Sequence, residues 1–355
     1  MPLLYIVGDA IVTRDELRDA IQLRKLGKEF AFPCGSAHKI SKLDLPDEAP
    51  VPFTAIGPGK PLTVRISRIY PGKHPHHEGK NMVLTSSMKG IEIYESEPKA
   101  VNLIRQNVAP RKDFPGPTAT EHGTRLVFYC AAIPDDVTYS NLKFEMAFNS
   151  ITRDIIELIE TVLPKAASIP AFAPYEAYLL GLNQALHLAT SVAQSLFPIE
   201  PAFKGSYDFY FHEPGYPEEG AGFRIACNDE LWKIIRSEKY TYEGTLKDKN
   251  GAPYLGDEPY VIFSVDGAAN PSFNKFAPTA ASADLLRRYF GIGENESSTS
   301  DMVVNALQLV TDVKYRERAL AKQKEIEQGD PKNLPRLKEE LNNLIKAIQT
   351  PSLKP

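Results

Sequence analysis

The run Gly256-Asp-Glu-Pro-Tyr-Val-Ile-Phe-Ser-Val-Asp-Gly267 decides how this chain is read. Apart from Ser264, residues 260–265 are aromatic or β-branched, and Gly, Pro and Asp bound them, which is the pattern of a strand in a buried setting. Outward from it, residues 207–212 and 222–227 carry further strand patterns. Earlier in the chain Leu62, Val64 and Ile66 alternate with polar residues, as do Met82 and Leu84 and, more loosely, Ile91 and Ile93. Residues 126–131 and 142–148 read the same way, and the apolar residues 3–8 form a short N-terminal strand. Alternation of this kind belongs to half-buried antiparallel strands.

The period changes elsewhere. Thr13-Arg-Asp-Glu16 has the spacing of a capping box and predicts a helix over 14–27. Ile151, Ile155, Leu158 or Ile159, and Val162 mark an amphipathic helix ended by Pro164, and Pro174 suits the first turn of a longer one. Residues 279–290, 300–328 and 334–348 are helical in pattern, with the break Gly329-Asp-Pro-Lys-Asn-Leu-Pro335 joining the last two. The expected fold is therefore α+β. Antiparallel β-sandwich-like regions flank a central buried helical pair, and a C-terminal helical hairpin finishes the chain. The expected divisions are a strand, helix and irregular cover over 1–60, a first β-rich region over 60–150, and a central helical segment over 151–198. A second β-rich region over 199–270 and a helical region over 278–350 complete them.

Composition narrows the functional classes. At 355 residues, with 43% hydrophobic and 24% charged residues, the chain has an ordinary globular make-up, as one large domain or two lobes. The formal charge of −4 is spread along the sequence, with no basic stripe, so nucleic acid is not an expected partner. The N-terminus lacks a basic segment and a long apolar core, so it does not read as a signal peptide. The three cysteines, Cys34, Cys130 and Cys227, are far apart, which points away from a disulfide framework or zinc ribbon and towards a reducing cytoplasm. Each reads as a small buried apolar residue.

From Ala177 to Phe197 there is no Asp, Glu, Lys or Arg. Asn183, His187, Thr190 or Ser191, and Gln194 recur at i, i+4, i+7 and i+11, which sets a neutral polar stripe on one helical face. Such a helix belongs in a core between the β-rich regions. The alternatives are conditional insertion in a bilayer and an interface released by a partner. Three polar residues in mid-segment make it a poor constitutive membrane anchor.

Two places have residues suited to metal. His74-Pro-His76-His77-Glu78 gathers imidazoles and a carboxylate in a loop, although Pro75 breaks helical ligand geometry and Lys73 and Lys80 flank the tract. Asp257, Glu258 and Asp266 flank the strand at 260–265, and clustered carboxylates suit calcium. Solvated loop side chains are the plainer reading of both sets. Asp257-Glu-Pro-Tyr-Val261 resembles the Asp-Pro-Tyr-Val strand of C2 domains, and Leu62-Thr-Val-Arg-Ile66 resembles an opening strand of such a module. The resemblance covers only these pieces, and Glu258 interrupts the motif. What it implies is a β-sandwich.

No nucleophile elbow, phosphate-binding loop, dinucleotide fingerprint or HExxH is present, and His122 and His212 have no local triad context. No cofactor is strongly implied. The charged, amphipathic C-terminal helices serve either as a solvated packed hairpin or as a docking element, with an apolar stripe at Leu337, Leu341, Leu344 or Ile345, and Ile348. The expected function is a non-enzymatic intracellular binding or scaffold protein with a protein partner, working through surface loops and the C-terminal hairpin. Alternatives are an effector whose residues 151–197 enter membranes after a trigger, and a metal-dependent hydrolase built on the histidine loop.

Overall fold

The computed structural model describes residues 3–25, 53–73, 81–89, 99–117, 123–134, 137–149, 201–211, 220–275, 297–328 and 333–355. The fold is α+β with antiparallel sheets. The central helical segment at 151–198 and the helix expected at 279–290 lie outside the described residues.

The first sheet has seven strands. β1 (Leu3–Val7) pairs with β2 (Ala10–Val12) on one side and with β10 (Gly222–Cys227) on the other. β13 (Tyr260–Asp266) follows β10, and β3 (Leu62–Tyr70) follows β13. The far edge of β3 is shared between β6 (Phe114–Pro115) and β7 (Leu126–Cys130). The second sheet runs β5 (Lys99–Arg105), β4 (Asn81–Lys89), β8 (Tyr139–Asn149), β9 (Phe203–Tyr210). Both sheets therefore draw strands from residues 60–150 and from residues 199–270. A hairpin of β11 (Thr241–Tyr242) and β12 (Leu246–Lys247) completes the strands.

One buried cluster contains side chains of both sheets. Leu62, Val64, Val261, Phe263 and Val265 of the first meet Leu84, Leu142, Phe144, Met146 and Phe209 of the second. The ring of Phe263 lies 5.3 Å from Phe144 and 6.3 Å from Phe209, centroid to centroid. On β3 the register with β13 shifts between Phe263, opposite Ile66, and Ile262, opposite Arg68, so Ser67 is the extra residue. An extra residue moves every later side chain to the other face, which is why Ile66 and Ile69 both reach the same core.

The outer face of the seven-stranded sheet is covered by α2 (Asp229–Glu238), which the sequence reading did not anticipate. Its N-cap is Asn228, whose side-chain oxygen accepts from the Leu231 N–H at 2.8 Å, and Leu231 and Ile235 bury against Ile225 and Ile262. At the other end α1 (Arg14–Lys25) starts with the expected capping box. The Thr13 N–H donates to Glu16 at 2.9 Å, and the Glu16 N–H donates back to the Thr13 hydroxyl at 3.3 Å.

The C-terminal helices α3 (Ser297–Gln328) and α4 (Leu334–Ala347) pack side by side, and residues 129–132 at the end of β7 receive them. Asp312 accepts from the N–H groups of Gln349 and Thr350, whereas Arg318 and Lys322 lie 3.8 and 3.5 Å from Glu340, which makes the pair antiparallel. Tyr315 takes the Ala131 N–H at 3.1 Å, and Arg318 donates to the Ala132 carbonyl at 2.8 Å. Asn343 donates to the Gly59 carbonyl, and a Cβ at Gly59 would stand 2.9 Å from that of Glu340. Only glycine lets α4 sit this close to the 57–60 turn.

Candidate functional site

Three loops meet at the end of the seven-stranded sheet where β3 stops and β13 starts. The first is Pro71-Gly72-Lys73, the second is the connection around Arg111, and the third is the segment leading to Asp257 and Glu258. Gly72 has φ +69, and a side chain there would collide with the Asp257 carbonyl, so the close approach of loops one and three requires glycine.

Backbone bonds then lock the loops. The Lys73 N–H donates to the Asp257 carbonyl and the Arg111 N–H to the Gly72 carbonyl, both at 2.9 Å. Arg111 itself sits in the left-handed region at φ +54. Its guanidinium grips the Asp257 carboxylate through Nε at 3.1 Å and Nη2 at 2.5 Å, and the Lys73 ammonium stands 3.9 Å away. The hydrogen bond from Arg111 holds the Asp257 carboxyl below the usual carboxylate range. Both partners are about half exposed, so the pair fixes loop geometry more than it adds stability.

Beneath the loops lies a platform of tyrosines. Tyr70 and Tyr260 stack with centroids 4.9 Å apart and 7° between planes, and Tyr254 touches Tyr70 and Tyr240 edge-on or tilted. Tyr70 donates to the Gly256 carbonyl at 2.8 Å, and the Glu258 N–H donates to the Tyr254 hydroxyl at 3.2 Å. Burial pushes the phenols of Tyr240 and Tyr254 up to about 12 and that of Tyr70 further in the same direction. At neutral pH these groups are protonated, and they serve as hydrogen-bonding supports, not as bases. Next to Tyr254 in the chain, Leu255 is 61% exposed, and Pro253 and Ala252 before it are exposed too.

The residues singled out in the sequence divide as follows. Asp257 and Glu258 belong to the loop cluster, Asp257 on Arg111 and Glu258 taking the side-chain N–H of Asn228, the α2 cap. Asp266 is the last residue of β13, so the strand holds it more than about 20 Å away along its own axis. There it accepts from the N–H groups of Thr54 and Ala268 and anchors the 53–55 segment. The structure does not bring the three acids together. His74, His76, His77 and Glu78 lie outside the described residues, although Lys73, which leads into them, is fixed on Asp257. Among the described residues, no group of three or more His, Cys, Asp and Glu side chains is placed to hold a metal ion. Cys130 and Cys227 are fully buried, and burial pushes the Cys130 thiol up to about 12 and Cys227 upwards too. His122, His212 and Cys34 lie outside the described residues.

Arg111 and the tyrosine platform were missed at the sequence level. Arg111 had no local signal, since its role depends on a residue 146 positions away. The α2 cap did have one: Asn228-Asp-Glu230 ahead of Leu231 and Ile235 is a helix start.

Arranged in this way, the cluster offers exposed Leu255 beside ion-paired, backbone-bonded loops. Comparison with known protein families, curated proteins and solved structures finds no match to this chain.

Proposed function

We propose that the protein is a non-enzymatic binding or scaffold protein that works inside the cell. It takes a protein partner through the loop cluster around Leu255 and the outward faces of α3 and α4. The observation that carries this reading is the exposed Leu255 in a segment whose flanks are fixed, Tyr254 in the tyrosine cluster on one side and Asp257 on Arg111 on the other. Loops fixed on a rigid scaffold are where binding residues concentrate, and a pinned apolar tip loses little entropy on docking. In the same reading the two sheets stack as a sandwich through their common core, and residues 151–197 form a buried helical pair. The test is a photoreactive residue at position 255, compared with one at exposed Lys249 on the neighbouring turn, in cells that make the protein. A discrete protein adduct at 255 and none at 249 is expected. No adduct at 255, or the same adducts at both, overturns the reading.

The uncharged run of Ala177–Phe197 favours a second reading, an effector that inserts this segment into membranes after a trigger. Among the described residues no helix is long and apolar enough to cross a membrane. Dye leakage from liposomes, with intact protein and with protein nicked in a Pro-rich loop, distinguishes the two. No leakage in either case eliminates the effector.

A further inference from the structure

The outer face of the four-stranded sheet is buried along β4 and at the neighbouring residues of β5 and the end of β8, while Asn141, Lys143 and Glu145 of β8 are half-buried. Strand register sets Val83 opposite Ile104 and Ala147, and Thr85 opposite Val101 and Glu145. Met82 and Leu84 point into the core common to both sheets, so Val83, Thr85 and Ser87 point the other way. Val83, Thr85, Ser87, Val101, Ile104 and Ala147 are each 4% exposed or less, yet none belongs to a core cluster formed by the described residues. The burial falls off from β4 across β8 to β9. On β9 the same face carries Lys204, Ser206 and Asp208, all exposed, and the Lys204–Glu145 pair at 3.7 Å marks its rim.

We infer that residues 151–197 of this chain pack on this face as its permanent cover. β8 and β9 are adjacent and antiparallel, with Met146 opposite Phe203, so a tight turn of two to five residues would join them. Instead residues 150–202 intervene, leaving and returning at the same end of this sheet. The chemistry matches as well. The buried face is small, β-branched and uncharged at its centre, with the hydroxyls of Thr85 and Ser87. The run Ala177–Phe197 is also uncharged, and Asn183, His187, Thr190 and Gln194 give it a neutral hydrogen-bonding stripe. Charged residues in mid-interface would lose their hydration without compensation; the charges of 151–197 (Arg153, Asp154, Glu157, Glu160, Lys165 and Glu176) all precede Ala177 and leave a 21-residue uncharged run, which no other segment long enough to reach has. Residues 26–52 carry Lys28, Glu29, Lys39, Lys42, Asp44, Asp47 and Glu48, and residues 276–296 carry Asp284, Arg287, Arg288, Glu294 and Glu296. Residues 90–98 hold three glutamates and are too short to cover three strands. This inference does not depend on whether Leu255 meets a partner.

Thiol accessibility tests it in the full chain. In a Cys34→Ser background, Thr85→Cys places a probe under the cover and Ser206→Cys places one on the open part of the same face. The thiol at 85 is expected to react with a maleimide at least about tenfold more slowly, because a covered group reacts only in its open fraction. Adding Leu186→Asp should raise the rate at 85 to within a few-fold of that at 206, while Cys130 and Cys227 stay unreactive and report an intact core. Fast labelling at 85 without Leu186→Asp, or a rate at 85 that Leu186→Asp leaves unchanged, overturns the inference. If Leu186→Asp unfolds the protein, seen as reactive Cys130 and Cys227, a photoreactive residue at position 85 decides. Cross-links to residues 151–197 support the cover, and cross-links to 26–52, 90–98 or 276–296 refute it.

Discussion

The two sheets are made of similar antiparallel strands but announce their surroundings differently. In the seven-stranded sheet both faces of β13 meet apolar groups, Phe263 and Val265 on one side and Tyr260 and Ile262 on the other. Its sequence is correspondingly apolar at Tyr260–Phe263 and Val265, with Ser264 between them. In the four-stranded sheet β9 alternates buried and exposed residues along its length, and its sequence alternates too. β4 breaks the rule. Its residues 82–88 are all buried, yet Thr85, Ser86 and Ser87 are polar. Hydropathy alternation therefore reports solvent on the second face only when that face is truly wet. A face with small hydroxyl-bearing side chains can be buried under a neutral cover and still look half-exposed in the sequence.

The sharpest way to break this comparison is to empty the core that both sheets have in common. Phe263→Ala removes a fully buried ring in contact with Phe144 and Phe209 and should destabilise the protein by about 3–5 kcal/mol in urea unfolding. Ser206→Ala, on the wet face of β9, should change stability by less than about 0.5 kcal/mol. Equal effects would mean that the two faces are not distinguished by solvent as described.

Next in size is the joint between the C-terminal helices and the sheets. Tyr315→Phe leaves the buried Ala131 N–H without its acceptor and should lower stability by about 1–3 kcal/mol by the same measurement. An unchanged midpoint would show that the helices do not depend on this contact. Asn228→Ala removes the cap of α2 and its bond to Glu258, and should lower stability by about 1 kcal/mol.

The smallest effect concerns Asp257. The hydrogen bond from Arg111 depresses its folded-state pKa below the ordinary carboxylate value, so the stabilisation by Arg111 is fully present above that ordinary value and is lost as pH falls through the folded one. Arg111→Ala should move the Asp257 titration up towards the ordinary carboxylate range, which carboxyl-carbon NMR reads directly. A titration that does not move would mean that the pair is not formed in solution. High salt should weaken the shift, since both groups are half exposed.

Much of the local structure was legible. The capping box at Thr13–Glu16 forms with both of its bonds, and residues 222–227 and 260–265 are strands as their patterns predict. The helix over 300–328 lies within α3, and α4 covers 334–347 of the expected 334–348. These features depend on neighbours within a few positions. Less of the candidate site was legible. Asp257 and Glu258 were picked out as acids in search of a cation. The structure gives them a guanidinium and a helix-capping amide instead. Arg111, Gly72 and Tyr70 carry no motif, and only their convergence makes them a cluster.

The sequence alone determined the α+β class, most of the strand and helix positions, and the absence of a catalytic signature, because propensity, periodicity and capping act over a few residues. The tertiary structure decided the rest. It mixed strands from residues 60–150 and 199–270 in both sheets, and it parted Asp257 from Asp266 by the length of β13. It also placed Arg111 on a carboxylate 146 residues away. Those outcomes depend on which apolar faces find one another across the whole chain, and no window of sequence contains that choice.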